Sequence, residues 1–347
     1  MRIGYYISSS PHYYDSIMPL VNETGGLILT YIKNFEKNIG KGKENIKVIY
    51  FKNGKELYSN FDPRTVDVLV HPGFSLGFIE RYPGLKHVQV FHGTSDKPYN
   101  FKRDLHDYDL IAVPGKKMKD DLVRKGLADA DRIAVIGYPK IDFFLNSDFD
   151  ADGFKRKIGI DLSRKTVLYA PTWIDTNRYS SFPRYISAVL GDLRNYNVIV
   201  KPHADILKKK PWEILRAYVL KKRNAYIFPR SANILPFTAI SDILLTDISS
   251  VSHEYLPFKK PIVFLNPRPD SKIPDDHTWI WHCGDVVSSK RDITRAVLDN
   301  LTNPLKYKTE RENALQQIFI DFDGKSPHRF RKTLQKVVLT KANRINI

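Results

Sequence analysis

The sequence has 347 residues, of which 42% are hydrophobic, and this length favours two domains with substantial cores. Its formal net charge of +17 favours an anionic partner: membrane lipid headgroups, a polyphosphate-bearing lipid or nucleic acid. A single cysteine, Cys283, excludes an internal disulfide framework and favours a reducing compartment.

Neither a secretory signal peptide nor a membrane-spanning run is recognisable in the sequence. The first eight residues, Met1 to Ser8, are typical of a strand that ends in a polar turn. A spanning helix needs about 20 apolar residues, and no run approaches that length. We therefore expect a cytoplasmic protein that is peripheral on the inner face of the cell membrane.

Apolar strands and helical periodicity alternate along the chain, beginning with a first series of strands. Helical periodicity is seen at residues 14–37 and 116–127, among other stretches. The predicted strands of this series cover residues 2–7, 47–51, 67–71, 87–91, 109–113 and 132–136.

A charged, Asp-rich connector, Ser147 to Lys157, separates this series from a second one. The strands of the second series are predicted at residues 165–170, 196–201, 225–228, 242–246 and 261–265. The fold class predicted is α/β, with two doubly wound, Rossmann-like parallel-sheet domains in a glycosyltransferase-B architecture. We expect domains at 1–148 and 149–325, and a basic C-terminal helix in 326–347 that packs back on the first domain.

Polar motifs follow several of these strands, where open α/β sheets bind ligands. In the motif that starts at Asp242, Ser249 or Ser250 is expected to cap a helix whose free N–H groups favour a phosphate. The alternative is an ordinary capped helix with a polar rim. The motifs begin at Phe91 (FHGTSDK), Gly137 (GYPKID), Val167 (VLYAPTW), Val198 (VIVKPH), Asp242 (DILLTDISSVSHEYLPFKKPIVFL) and Phe322 (FDGKS).

Together and in this order, the motifs resemble the CDP-glycerol glycerophosphotransferase family, the primases and polymerases of teichoic acid synthesis. The resemblance covers roughly Val88 to Ser326. It implies transfer of glycerol phosphate from CDP-glycerol to a hydroxyl of a lipid-linked acceptor, with release of CMP. It implies no obligatory cofactor beyond the nucleotide donor, and it leaves a divalent metal open.

The resemblance also implies roles for individual residues. His92 matches the catalytic histidine, and an imidazole suits proton removal because its ordinary pKa is near working pH. His203 matches a histidine that contacts the donor's phosphates and would stabilise the leaving CMP or act as the general acid. The acceptor or phosphate residues implied are Gly93, Thr94 and Lys97. The donor or phosphate residues implied are Thr172, Trp173, Lys201, Thr246, Asp247, Ser249, Ser250 and Glu254.

The chain departs from the family pattern at three of these places. Ala204 follows His203 where the family usually has proline, Glu254 replaces an aspartate of many relatives, and Ile174 stands where an arginine often follows the tryptophan. The missing arginine leaves the donor open among CDP-glycerol, CDP-ribitol and another CDP- or nucleotide-activated group.

Other classes of function remain as alternatives. One is a nucleotide-sugar glycosyltransferase of the same architecture, and the other is a non-catalytic basic protein that binds nucleic acid or acts as a scaffold. The sequence lacks Gly-x-Gly-x-x-Gly and P-loop motifs, and its histidines lack zinc-ligand spacing, so no metal site is predicted. The basic clusters that suit an anionic partner are Lys33, Lys37, Lys41, Lys43, Lys47, Lys52 and Lys55, residues 208–210 and 221–223, and Lys325, Arg329, Arg331, Lys332, Lys336, Lys341 and Arg344. The prediction of membrane binding depends on the first and the last of these clusters, and we expect the first to matter more.

Overall fold

The computed structural model describes residues 1–8, 12–39, 43–230 and 233–342, and it forms two compact units. The first unit contains Met1–Gly93, Tyr99–Ser147 and the chain from Gln317 onward. The second unit contains Thr94–Pro98 and Asp148–Gln316. Of the predicted basic residues, Lys41 and Arg344 lie outside the described residues, as does the side chain of Lys341.

The first unit is a parallel sheet with strand order β3-β2-β1-β4-β5-β6-β7. Such an order needs crossover connections, and helices provide most of them. Its elements are β1 Ile3–Ile7, α1 His12–Thr24, β2 Gly26–Thr30, β3 Ile46–Tyr50, α2 Gly54–Asn60, β4 Val68–His71, α3 Leu76–Arg81, β5 Lys86–Val90, β6 Leu110–Val113, α4 Lys116–Arg124, β7 Ile133–Val135 and α5 Pro139–Leu145.

The second unit is also a parallel sheet, with strand order β10-β9-β8-β11-β12-β13. Its elements are α6 Ala151–Ile158, β8 Thr166–Tyr169, α7 Phe182–Asp192, β9 Asn197–Val200, α8 Ala204–Lys209, α9 Pro211–Leu220, β10 Ala225–Ile227, α10 Leu235–Ile240, β11 Ile243–Thr246, α11 Ser250–Tyr255, β12 Ile262–Leu265, β13 Asp285–Val287, α12 Ile293–Thr302 and α13 Lys308–Ile318, the end of which enters the first unit.

The last helix, α14 (Ser326–Ala342), belongs to the first unit. It packs against α1, and its Phe330 and Leu334 are fully buried in the same hydrophobic core as Ile17 and Val21 of α1. Arg329 anchors the helix by donating to the Ile136 carbonyl at 2.8 Å. This helix therefore completes one face of the first sheet.

The predicted fold class is confirmed, and every predicted strand is present with its ends displaced by no more than one residue. One prediction of helical periodicity, at residues 14–37, was wrong beyond Thr24, where β2 follows. Gly25 and Gly26 have φ angles of +66° and +129°, and a Cβ on Gly26 would lie 2.5 Å from the Ile3 carbonyl oxygen. The glycine pair therefore ends α1 and lets β2 lie beside β1. Strand β13 was not predicted.

Candidate functional site

His92 follows β5 in the first unit, and its imidazole is half-buried. Nδ1 lies 2.6 Å from the carbonyl oxygen of Pro72. Because a carbonyl can only accept, Nδ1 carries the hydrogen, and the lone pair of the neutral ring is on Nε2. The backbone carbonyl of His92 accepts from Ser16 Oγ at 3.1 Å and from Tyr138 Oη at 2.9 Å. These contacts fix both the ring and the strand end, so that Nε2 is the basic atom.

His203 follows β9 in the second unit and is the N-cap residue of α8. Its Nδ1 lies 3.1 Å from the backbone N–H of Asp205. Since a backbone N–H can only donate, Nδ1 accepts, and the hydrogen of the neutral ring is on Nε2. Pro202 has no N–H to continue the strand ladder, which helps to end β9 just before this residue. The two predicted catalytic histidines are thus held in opposite tautomers.

The segment Thr94–Pro98 directly follows His92-Gly93 in the sequence but belongs to the second unit. Lys97 is 5% exposed, and its Nζ donates to Thr172 Oγ1. Burial lowers the pKa of Lys97 to about 8, and the carboxylates of Asp247 and Asp175 oppose that shift. Two residues predicted for the acceptor, Thr94 and Lys97, therefore lie in the same unit as the predicted donor residues.

Asp247 organises the loops at the end of β11 and is fully buried. One carboxylate oxygen accepts from Thr172 N at 2.9 Å, and the other accepts from Ser181 N at 2.7 Å and Ser181 Oγ at 2.8 Å. Burial raises the pKa of Asp247 to about 6, against the opposing effects of those hydrogen bonds and of Lys97. In this structure the Asp247 carboxylate holds the Thr172 loop, and its role in donor binding stays a prediction.

Thr246 and Glu254 were also predicted to meet the donor, and both are buried. Thr246 is completely inaccessible, and its Oγ1 donates to the Ala170 carbonyl at 2.7 Å. Glu254 is 2% exposed, whereas Ser250 at the start of the same helix is half-buried. The Glu254 side chain is enclosed by protein, and the roles of Thr246 and Glu254 in donor binding stay predictions.

The two serines at the start of α11 have different positions. Ser249 is the N-cap residue, and its Oγ accepts from Val251 N at 3.4 Å. Ser250 is the first residue of the helix. Trp173, another predicted donor residue, is half-buried, with Lys209 Nζ 4.8 Å from its ring centroid, and Lys201 is 6% exposed. Gly93, half-buried, ends the first-unit segment.

Sequence reasoning missed a second buried polar cluster in the second unit. His253 Nε2 lies 3.2 Å from Asp96 Oδ2, and His253 Nδ1 lies 3.4 Å from Thr94 Oγ1. Asp96 also accepts from Ile280 N at 3.3 Å. Asp96 lies in the motif that begins at Phe91, and His253 lies in the motif that begins at Asp242. Their membership of these motifs was the one signal in the sequence that could have indicated the cluster. The cluster ties the Thr94–Pro98 segment to α11.

Within residues 1–8, 12–39, 43–230 and 233–342, no three His, Cys, Asp or Glu side chains are grouped to hold a metal ion. Among the helices of those same ranges, none combines the length and apolar character needed to cross a membrane.

Comparison with known proteins gives a consistent family signal. Residues 46–336 match the sequence model of the family described as CDP-Glycerol:Poly(glycerophosphate) glycerophosphotransferase. A teichoic acid poly(glycerol phosphate) polymerase of Bacillus spizizenii strain W23 is 30% identical over 186 residues, which cover 50% of this chain and 45% of that protein. A teichoic acid glycerol-phosphate primase of Bacillus subtilis strain 168 is 26% identical over 226 residues, which cover 63% of this chain and 55% of the primase.

The chain therefore spans about half the length of these curated relatives. Among solved structures, that of the wall teichoic acid polymerase TagF superposes with a TM-score of 0.71 at 18% identity, and the superposition covers 98% of this chain and 90% of the chain in that structure. At that identity the structural likeness establishes the fold, and it supports the two-domain glycosyltransferase-B class predicted from the strand series.

Proposed function

Because the chain belongs to the CDP-glycerol:poly(glycerophosphate) glycerophosphotransferase family, which confirms the resemblance of its motifs, we propose that it is a phosphotransferase of that type. It transfers glycerol phosphate, or a related polyol phosphate, from a CDP-activated donor to a hydroxyl of a lipid-linked cell-wall polymer acceptor, and releases CMP. The named relatives support this reaction, as does a TagF variant structure that was soaked with CDPG.

The chemistry follows from the two histidines. The acceptor oxygen forms a bond to the phosphorus that carries the polyol, and the bond from this phosphorus to the bridging oxygen of CMP breaks. His92 takes the acceptor's proton at Nε2, the nitrogen that the Pro72 contact leaves basic. His203 donates from Nε2–H to the phosphate oxygens and stabilises the charge that develops on CMP. The opposite tautomers of these two residues are the observation that carries the proposal.

The donor's pyrophosphate is proposed to lie at the β11–α11 turn, where Ser250 and backbone N–H groups supply hydrogen-bond donors. Thr172, Lys97 and Asp247 support this turn from within the protein. Trp173 and Lys201 remain proposed donor contacts.

The reaction as proposed has no obligatory protein-bound cofactor, and a divalent ion would be held mainly by the donor's phosphates. Chelation with EDTA should then slow CMP release only to the extent that a divalent ion bound to the donor's phosphates assists the reaction.

The proposed location is the inner face of the cell membrane, and one helix of the second unit supports it. Helix α9 exposes Trp212 (56%), Leu215 (65%) and Val219 (78%), which share a helix face because they are three and four residues apart. Exposed lysines and arginine at 208–210 and 221–223 flank the helix on both sides. Apolar side chains between cations suit an anionic lipid surface, where each basic residue contributes about 1 kcal/mol.

Vesicle binding tests this location. We expect binding to require anionic lipid and to weaken as salt rises. Leu215→Glu with Val219→Glu should release the protein, whereas Leu162→Glu with Leu298→Glu, at exposed leucines elsewhere in the same unit, should not. The exposed lysines of the first unit are tested by the quadruple variant Lys37→Glu, Lys47→Glu, Lys52→Glu and Lys55→Glu. Equal binding to neutral vesicles would remove the membrane proposal, and tight salt-sensitive binding to DNA would favour the nucleic-acid alternative.

The activity itself is tested with a panel of donors. Purified protein is incubated with CDP-glycerol, CDP-ribitol, and UDP- and CMP-sugars, together with a hydroxyl-bearing acceptor, and nucleotide release is measured. We expect CMP from a CDP-polyol only in the presence of acceptor, with transfer of the polyol phosphate to it. Release of UDP from a UDP-sugar, or of CMP from a CMP-sugar, would support the glycosyltransferase alternative and contradict the proposed phosphotransferase.

A further inference from the structure

Two buried histidines form a hydrogen-bonded pair in the first unit. His71 is the last residue of β4, His87 lies on the neighbouring strand β5, and their side chains are 0% and 2% exposed. His71 Nε2 lies 3.0 Å from His87 Nδ1, and His87 Nε2 lies 3.1 Å from the carbonyl oxygen of Tyr82. His71 Nδ1 has no hydrogen-bond partner among the described residues. Neither ring takes part in the proposed reaction.

The partners of the pair determine where its hydrogens lie. Because a carbonyl can only accept, His87 Nε2 carries a hydrogen, and His87 Nδ1 therefore accepts from His71 Nε2. The neutral pair thus holds one hydrogen toward Tyr82 and one between the two rings. A proton taken up by either ring must then place a hydrogen on His71 Nδ1. Since that atom is buried, the protonated pair would contain a charge and an unsatisfied N–H, which is costly.

The groups that face the pair favour its neutral form. Tyr6 of β1 and Tyr108 lie edge-on to the His71 ring, at centroid distances of 6.2 and 5.7 Å. Burial raises the pKa of both tyrosines, so they stay uncharged. Asp109, which also pairs with Lys86, accepts from the backbone N–H of the second histidine at 2.9 Å and raises the pKa of its ring. Burial outweighs this carboxylate, so the pKa of both histidines is lowered.

A single residue joins the pair to the proposed general base. Pro72 follows His71 directly, and its carbonyl accepts the Nδ1 hydrogen of His92 at 2.6 Å. Proline fixes its own φ and confines the preceding residue to extended conformations, so the backbone between His71 and Pro72 is stiff. Because the His71 ring is enclosed, it can bring Nδ1 to water only by moving this backbone and the Pro72 carbonyl with it. Without the carbonyl, His92 can carry its hydrogen on Nε2, where it no longer acts as a base.

We propose that His71 and His87 are positioning residues that make the action of His92 depend on a second proton. While the pair is neutral, the Pro72 carbonyl holds the His92 hydrogen on Nδ1 and leaves Nε2 basic. A state in which His71 meets water binds a proton near the ordinary histidine pKa of about 6.5, so acidification favours that state over the buried, neutral pair. The inference rests on the proposed function and adds a pH-sensitive control of the same site.

The pH dependence of CMP release from CDP-glycerol, with octyl glycerophosphate as acceptor, tests the inference. On the acid side, one essential deprotonation lowers kcat/KM about tenfold per pH unit, whereas two coupled ones lower it about 100-fold. We expect the steeper limb for wild type. The amide of His71→Gln can donate to His87 but does not titrate, so this variant should show the tenfold limb and keep turnover at pH 8 within about threefold. His106→Gln, at an exposed histidine of the same unit, is the control and should keep the wild-type limb.

Histidine ¹⁵N NMR separates failure of this inference from failure of the proposed function, because it needs no turnover. At pH 8 His92 should carry its hydrogen on Nδ1, and on acidification His71, His87 and His92 should titrate at one shared midpoint while circular dichroism shows a folded chain. A shared midpoint without CMP release from any donor would keep the pH-sensitive pair and overturn the phosphotransferase. CMP release together with separate midpoints in wild type, with equal acid limbs in wild type and His71→Gln, or with loss of activity only on global unfolding would overturn the role of the pair alone.

Discussion

The two units organise the surroundings of their candidate site residues with different chemistry. In the first unit, neutral groups hold His92: the Pro72 carbonyl at Nδ1, the Tyr13 ring against the imidazole, and the Ser16 and Tyr138 hydroxyls at its backbone carbonyl. In the second unit, buried ionisable groups organise the loops around the predicted donor residues, with Lys97 and Asp247 both on Thr172. Neutral groups thus fix the tautomer of His92 in the first unit, whereas buried ionisable groups organise the Thr172 loop in the second.

The largest expected effect is on turnover in the first unit. His92→Ala removes the proposed base and should lower turnover by about 10²–10⁴-fold. The melting temperature should change little, because the ring is only half-buried. CMP release and thermal unfolding measure the two effects. His106→Ala, at an exposed histidine of the same unit, is the control, and near-normal turnover in His92→Ala would refute the assignment.

In the second unit, the main expected effect of a substitution at Asp247 is on stability. Asp247→Ala removes one of the two carboxylates that offset the buried Lys97 charge and strands the Thr172 and Ser181 N–H groups, at an expected cost of about 3–5 kcal/mol in the free energy of unfolding. Urea denaturation measures this cost. Asp152→Ala, at an exposed aspartate, should stay within about 0.5 kcal/mol. A similarly small change in the free energy of unfolding for Asp247→Ala would show that the Asp247 carboxylate does not organise the loops of the second unit.

The two serines at α11 separate donor binding from capping. Ser250→Ala should weaken donor binding by about 1.5–3 kcal/mol, the value of a hydrogen bond to a charged group, with little change in stability. Ser249→Ala should cost about 1 kcal/mol of stability through loss of the N-cap. Calorimetry with CDP-glycerol and urea denaturation give the two readings. Unchanged donor affinity in both variants would leave α11 a plain capped helix.

The smallest expected effect is a difference between the two units in how their stability depends on pH. His71 and His87 form a buried pair with 3.0 Å between Nε2 and Nδ1, and burial lowers the pKa of both below the ordinary value. The unfolded chain therefore takes up protons first as pH falls below about 6.5, and this pair makes the first unit less stable on acidification.

Asp247 has the opposite sign. Its pKa is raised from 3.8 to about 6, so the folded state binds the proton first, and its contribution to stability is lost as pH rises from 3.8 to 6. Urea midpoints measured between pH 4 and 7 test both slopes. His71→Phe should flatten the acid loss of the first unit, and Asp247→Asn should flatten the opposing slope of the second. Unchanged slopes in these variants would show that other groups control the pH dependence.

The strands were predictable because buried parallel strands are continuous apolar runs that differ clearly from their polar ends. Strand β2 was not, because Leu27 to Leu29 continue the apolar pattern of α1, and only the close approach of Gly26 to Ile3 separates the two elements. Strand β13 has an exposed Val286 and a half-buried Asp285, so it lacks an apolar run.

The candidate site was predictable as a set of strand ends, since motifs at the carboxyl ends of parallel strands meet at one edge of each sheet. The direction in which each side chain points was not predictable. Asp247 turns inward because Ser181, 66 residues away in the sequence, supplies two donors. Similarly, nothing local in the sequence showed that Thr94 to Lys97 would pack with α11 and Thr172 rather than with the strand that precedes them.

The place of α14 in the first unit has a consequence for how the protein is made. The chain builds the first sheet, then Asp148–Gln316 of the second unit, and only afterwards the helix that covers α1 with Phe330 and Leu334. During synthesis at about 5–20 residues per second, the apolar face of α1 therefore stays open while the whole second unit emerges from the ribosome. Nascent chains halted before Ser326 should be protease-sensitive in the first unit and should bind chaperones that recognise exposed apolar surface.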